Sequence, residues 1–145
     1  MFFDLVSVQE RPLLSCLLRL STYESARCVF VTSSVIPEEI VEYYLSLCAQ
    51  PLHGSVRDRL LLLSLRDDSP LPLTQKLLES PPLLEKVRQW VRPEKAFLRC
   101  IISTPLEEKL AQSLGIPLRA NPSHLSHWGT KHGSRQVFSE AKIRK

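Results

Sequence analysis

The sequence predicts an α/β fold, a parallel sheet of three to four strands with helices on both faces. Three short apolar runs carry this expectation, at Cys28–Thr32, Leu60–Leu65 and Phe97–Ile102. Each is too short for a helix, and the first is apolar on both sides of the strand alternation, the pattern of a strand buried on both faces. Longer segments with apolar residues at helical spacing lie between them. Alternation of this kind builds a parallel sheet through right-handed crossovers.

In chain order, Leu13, Leu14, Leu17, Leu18 and Leu20 follow Pro12 near helical spacing and predict an amphipathic helix, with Ser21–Ser25 as the link onward. Cys28-Val29-Phe30-Val31-Thr32 is the first strand. Ser33 and Ser34 break it, and Pro37 opens a helix, since the first turn does not need its missing N–H. Glu38 and Glu39 suit the positive end of that helix. Ile40, Val41, Tyr44, Leu45 and Cys48 form its apolar stripe. Pro51 and Gly54 mark a loop over 50–55, and Arg57–Arg59 leads into the second strand. Arg66-Asp67-Asp68-Ser69-Pro70 is a polar loop at that strand's carboxyl end.

Residues 73–79 read as helical. Ser80 then caps a helix with Pro81 at its first position, and Leu83, Leu84, Val87, Trp90 and Val91 supply its buried face. Phe97–Ile102 is the third strand. Thr104 and Glu107 have capping-box spacing around Pro105, and Gly115 ends that helix. Ile116-Pro117-Leu118 is a short fourth strand or extended link. Asn121–Trp128 is a polar turn region, and Thr130 caps a last helix carrying Val137 and Phe138.

At 145 residues the chain is long enough for one domain with a real core. Its 43% hydrophobic and 23% charged residues are ordinary for a globular protein. The net charge of +4 is modest, with much of the excess after Thr130. A solvated helix face explains it, so a nucleic-acid partner is not expected. Cys16, Cys28, Cys48 and Cys100 show no CxxC spacing and sit among apolar neighbours, as reduced core thiols do. The opening MFFDLVSVQER has an acid at position 4 and no long apolar centre, unlike a signal peptide. The run Leu60–Leu63 is far too short to span a bilayer. The expectation is a cytoplasmic protein without a membrane partner.

The glycines never cluster under a strand end, so a self-sufficient dinucleotide or P-loop site is not expected. The loop Thr32–Ile36 lies where open α/β sheets bind ligands. Thr32, Ser33 and Thr104 are therefore candidates to hydrogen-bond a small polar substrate, against the plainer role of capping the next helix. Glu107 and Glu108 argue against a phosphate at the helix start beside Thr104. His124, His127 and His132 lack the spacing and further ligands of a zinc site. Asp67 and Asp68 are sequence neighbours whose side chains diverge, which suits a turn better than acid/base work. No catalytic residue is assigned.

Three segments together, VFVTSSVIPEEIVEYYLSL, DDSPLPLTQKLLESPPLLEKVR and STPLEEKLAQSLGIPLRANPSHLSHWGTKHGSRQVFSEA, resemble the N-terminal pre-ATP-grasp domain of the pheganomycin-type peptide ligases. The likeness runs from Tyr23 to Ile143, and LGIP followed by HWGTKHGSRQVF is its most specific part. It implies a Rossmann-like domain over 23–128, preceded by a helical segment over 1–22 and followed, over 129–145, by the first helix of a truncated ATP-grasp region.

The resemblance also implies a carboxylate–amine ligase that activates a carboxylate with ATP and Mg²⁺. The nucleotide clamp and the magnesium-binding acids are expected further along the chain, so this segment is expected to be inactive alone. The Gly129-Thr130-Lys131 turn is similar to the Gly-Asp-Lys turn of biotin-carboxylase-type enzymes. That makes Lys131, and less directly Arg135, the implied ATP contacts. Asn121 stands where the family usually has an acid, which puts a charged substrate contact there in doubt.

The implied partners are the downstream ATP-grasp lobes. Calmodulin would bind only through regions absent here, because no Ile-Gln pair is followed by the expected Arg spacing. The alternative is a non-enzymatic protein-interaction module that kept the fold, with the regulatory role in spermatogenesis that an animal relative of the family suggests.

Overall fold

The computed structural model describes residues 5–48, 53–100 and 102–142. The fold is mixed α/β, and the chain divides into two compact units, Met1–Trp90 and Val91–Lys145.

In the first unit α1 (Leu5–Thr22) precedes β1 (Cys28–Thr32), α2 (Glu38–Ser46), α3 (His53–Asp58), β2 (Leu60–Ser64), α4 (Leu73–Leu78) and α5 (Pro81–Trp90). β1 and β2 pair in parallel, from Cys28 opposite Leu60 to Thr32 opposite Ser64. Beyond the ladder, Leu65 N–H donates to the Thr32 carbonyl at 2.9 Å. The pairing therefore carries both chains in step into the loops that follow. β1 is half-buried from Cys28 to Val31 and buried only at Thr32, less than its composition suggested. In a two-stranded sheet each strand is an edge, and neither is enclosed as a central strand would be.

The core follows the helical stripes. Leu13, Leu17 and Leu20 of α1 meet Val41, Leu45 and Cys48 from the α2 stripe, with Val56 and Leu60. Burying side chains of this size contributes about 1.5–3 kcal/mol each. Arg59 closes the layer from the rim. Its guanidinium donates to the carbonyls of Leu20, Tyr23, Ala26 and Ser55 at 2.8–3.0 Å. Pro37 is the residue before α2 rather than its first helical residue.

The loop expected over 50–55 is helical from His53 onward, and its earlier part, with Pro51, lies outside the described residues. Gly54 argued for a loop, but Val56 is fully buried, and Arg57 forms an ion pair with Glu38. Tertiary packing outweighs the cost of about 1 kcal/mol for a helical glycine.

In the second unit a short 3₁₀ turn (Pro93–Lys95) precedes α6 (Pro105–Leu114), a 3₁₀ segment (Ser123–Gly129) and α7 (Lys131–Glu140). Where third and fourth strands were expected, the described residues form one parallel bridge, Leu98 to Leu118. Leu98 N–H donates to the Pro117 carbonyl at 2.8 Å and its carbonyl accepts from Arg119 N–H at 2.8 Å. Pro117 has no N–H, so the ladder has nothing to extend with on that side. Ile101 lies outside the described residues.

Around α6 the expected signals are all present. Thr104 and Glu107 make the reciprocal capping box, and Gly115 adopts φ +65 at the carboxyl end. Thr130 caps α7 by accepting from Gly133 N–H at 3.0 Å. Val137 and Phe138 of α7 are exposed. Among the described residues no helix is long and apolar enough to cross a membrane.

Candidate functional site

Parallel pairing brings the loops after β1 and β2 to the same end of the sheet, where such folds place ligands. Thr32 is buried, and its hydroxyl donates to the Ser34 carbonyl at 2.7 Å, holding the turn. That proton is spent within the loop. The Ser33 carbonyl accepts from Asp67 N–H at 3.2 Å, and Ser34 Oγ donates to Asp68 Oδ1 at 2.8 Å. The two loops are thus joined through main chain and side chain.

Lys76, on α4, completes the junction. Its side chain is 3% exposed, and Nζ donates to the carbonyls of Asp67 and Ser69, both at 2.7 Å. A third, longer contact of 3.5 Å reaches Ser33 Oγ. The nearest carboxylate oxygen, Asp67 Oδ1, is 3.8 Å away. The bonds from Ser69 hold the Asp67 carboxyl below its ordinary range, and Lys76 adds to the effect. Ser33 Oγ accepts from Lys76, so its own proton remains available to an acceptor outside the loop. Arg66, at the foot of β2, sits at φ 51, a left-handed conformation rare without glycine.

The sequence singled out Thr32 and Ser33 but not Lys76, which stands out only as a lysine three residues after Leu73 on the side of α4 that buries Leu77. The divergence expected of Asp67 and Asp68 is observed, for one carboxylate receives Ser69 N–H and the other the Ser34 hydroxyl. Trp90 is half-buried under the Arg27 guanidinium, 3.9 Å from its ring centroid.

Thr104 belongs to the second unit. Its hydroxyl lies 2.5 Å from Glu107 Oε2 and accepts from Leu106 N–H at 3.2 Å, so it is occupied with the cap. Ser103 beside it is buried, and its Oγ has no hydrogen-bond partner among the described residues. Glu108 accepts from Ser123 N–H at 3.0 Å, which keeps its carboxyl below the ordinary range. It also borders an open hollow lined by Ala111, Gln112, Gly115, Ile116 and Leu118.

Lys131 begins α7 and Arg135 lies one turn on. Both are exposed, and neither forms an ion pair among the described residues. Two free cations one helical turn apart suit the charge of a phosphate chain. His127 stacks edge-on against Trp128 at 5.1 Å and lies 6.4 Å from His132, centroid to centroid. Among the described residues no group of three or more His, Cys, Asp and Glu is placed to hold a metal ion. The chain matches no protein-family model, no curated protein and no solved structure.

Proposed function

We propose that this chain is the substrate-side, pre-ATP-grasp-type domain of a cytoplasmic carboxylate–amine ligase-like protein, with a Rossmann-like sheet of three to four strands, and that it does not ligate by itself. The observation that supports this best is the parallel β1–β2 pair, whose carboxyl-end loops are locked together by Lys76. Such a preorganised wall orients a small substrate without loop closure. Ser33 supplies the hydrogen-bond donor to the substrate. Thr32 positions that loop rather than touching the ligand, and the Thr104 hydroxyl, in the other unit, serves its own helix cap.

ATP supplies the phosphate that activates the carboxylate, and Lys131 and Arg135 would meet its negative charge from α7. The residues that hold Mg²⁺ and close over the nucleotide are assigned to downstream lobes.

The test is amide NMR of this chain. Titration with amino acids and short peptides should shift Thr32–Ser34. Titration with ATP and Mg²⁺ should shift 130–135 without release of ADP, and Lys131→Ala should remove most of that response. If ATP leaves 130–135 unmoved, the ligase reading fails. The second reading, a non-enzymatic interaction module, then takes over. It is favoured by the exposed Leu125, Trp128, Val137 and Phe138.

A further inference from the structure

A serine or threonine precedes proline at three places in the chain, Ser69-Pro70, Ser80-Pro81 and Thr104-Pro105. The fold treats them differently. Thr104 caps α6, with its hydroxyl engaged by Glu107 and Leu106 N–H. The Ser80 carbonyl accepts from Leu83 and Leu84 N–H at 3.1 and 3.0 Å, which commits Ser80 to the first turn of α5. Ser69 lies in neither a helix nor a strand, and the residues from Asp68 to Pro72 are all exposed. Pro72, at the end of that run, sits at φ −57 and ψ 137, the polyproline conformation. We propose that Ser69 is a phosphorylation site for a proline-directed protein kinase, and that its phosphate unlocks the loops after β1 and β2.

A kinase of this class takes its substrate as an extended strip. It accepts proline after the serine because proline has no N–H to leave unpaired. The run from Asp68 to Pro72 offers such a strip as it stands, whereas Ser80 and Thr104 become available only after a helix start opens. The step transfers the γ-phosphoryl group of ATP. The bond from Ser69 Oγ to phosphorus forms, the bond from phosphorus to the β–γ bridging oxygen breaks, the hydroxyl proton passes to the kinase's catalytic carboxylate, and ADP leaves.

The new phosphate carries about −1.5 to −2 charges at neutral pH, and it arrives among acids. Asp67 Oδ1 accepts from Ser69 N–H at 2.8 Å, and Asp68 Oδ1 accepts from the Ser34 hydroxyl at 2.8 Å. Lys76 is not available to meet it, because its three donors are directed at the carbonyls of Asp67 and Ser69 and at Ser33 Oγ. Arg66 is exposed, so a pair formed there is solvated and contributes little. Repulsion from the two carboxylates therefore wins. The turn at Asp67 opens, and the Ser34–Asp68 contact between the loops is lost.

The experiment incubates the whole chain with ATP, Mg²⁺ and a proline-directed serine/threonine kinase, then maps the phosphate by tryptic digestion and mass spectrometry. Cleavage after Arg66, Lys76, Lys86, Arg99 and Lys109 places the three candidates in three separate peptides. Ser69 should take up phosphate roughly tenfold faster than Ser80 or Thr104, the ratio expected when a site must first give up a helix-end contact. Pro70→Ala should abolish the uptake; Pro70 is exposed and outside any helix or strand, so the fold should stand. After kinase and ATP are removed, the phosphorylated chain should show shifted Ser33 and Ser34 amides and a lower urea midpoint. Three results would overturn the proposal: no phosphate on Ser69, a comparable rate at Ser80 or Thr104, or a phosphorylated chain whose Ser33 and Ser34 amides and urea midpoint are unmoved.

Discussion

Replacing Lys76 by Met tests whether the strand-end loops are held by one ammonium group. Met retains most of the apolar stem, so the change isolates the charged head. In the native fold Nζ donates two 2.7 Å bonds, to the carbonyls of Asp67 and Ser69. Hydrogen bonds to a charged group contribute about 1.5–3 kcal/mol each. Both loops are partly open to water, which recovers some of the loss, so the low end applied twice gives about 3 kcal/mol. Trading a buried ion pair for apolar packing is often neutral, but here the main partners are carbonyls that stay behind. The Asp67 carboxylate, at 3.8 Å and 41% exposed, is screened by water and adds little beside them. Lys76→Met should therefore lower the unfolding free energy by about 3 kcal/mol, and Asp67→Asn by far less. Urea unfolding reads both as a shift in midpoint at unchanged slope. A Lys76→Met loss within about 1 kcal/mol of wild type, or an equal loss in Asp67→Asn, refutes the assignment of Lys76 as the clamp.

Three further outcomes follow from particular contacts. Arg59→Lys keeps the charge but cannot reach four carbonyls at once, and should cost about 2 kcal/mol in the same urea assay; wild-type stability would show that the fork is dispensable. Glu108, held below its ordinary value of 4.5 by Ser123 N–H, contributes stability that is complete above that value and is lost as pH falls through the lower folded value. Glu108→Gln should flatten the decline in stability below about pH 4.5 and leave pH 7 less affected; an unchanged acid limb counts against the contact. At Gly133 an added Cβ would strike the His127 carbonyl oxygen and come within 3.0 Å of Trp128 Cα. The helix gain of about 1 kcal/mol from alanine should be outweighed by overpacking of about 1–3 kcal/mol, so a raised melting temperature in Gly133→Ala would contradict the close approach.

What the sequence made legible is what neighbouring residues decide. The Thr104–Glu107 box, the Gly115 terminus and the Thr130 cap each depend on residues within five positions, and all are present. The apolar stripe of α2 needed only a helical repeat. What was not legible depends on distant partners. A strand forms only where another chain segment offers hydrogen bonds, and among the described residues of Phe97–Ile102 the pairing shown is the single bridge from Leu98 to Leu118. The helix from His53 depends on Val56 reaching a core built largely by α1 and α2, which no local pattern announces.

The candidate site follows the same division. Thr32 and Ser33 could be found because a strand end is a place, fixed as soon as the strand is recognised. Their different tasks could not, because those depend on where each hydroxyl spends its proton. Thr32 gives its proton to the Ser34 carbonyl, whereas Ser33 receives one from a lysine forty-three residues away. A buried ammonium that satisfies two carbonyls also fixes which serine oxygen is already accepting, and so which hydroxyl proton is left to point outward. The proposed choice of Ser33 over Thr32 as the ligand-facing group thus rests on Lys76. Loosening that lysine should weaken small-carboxylate binding at Ser33 together with the fold's stability, while Thr32→Val should reduce stability through the turn and spare any binding that the intact loop still supports.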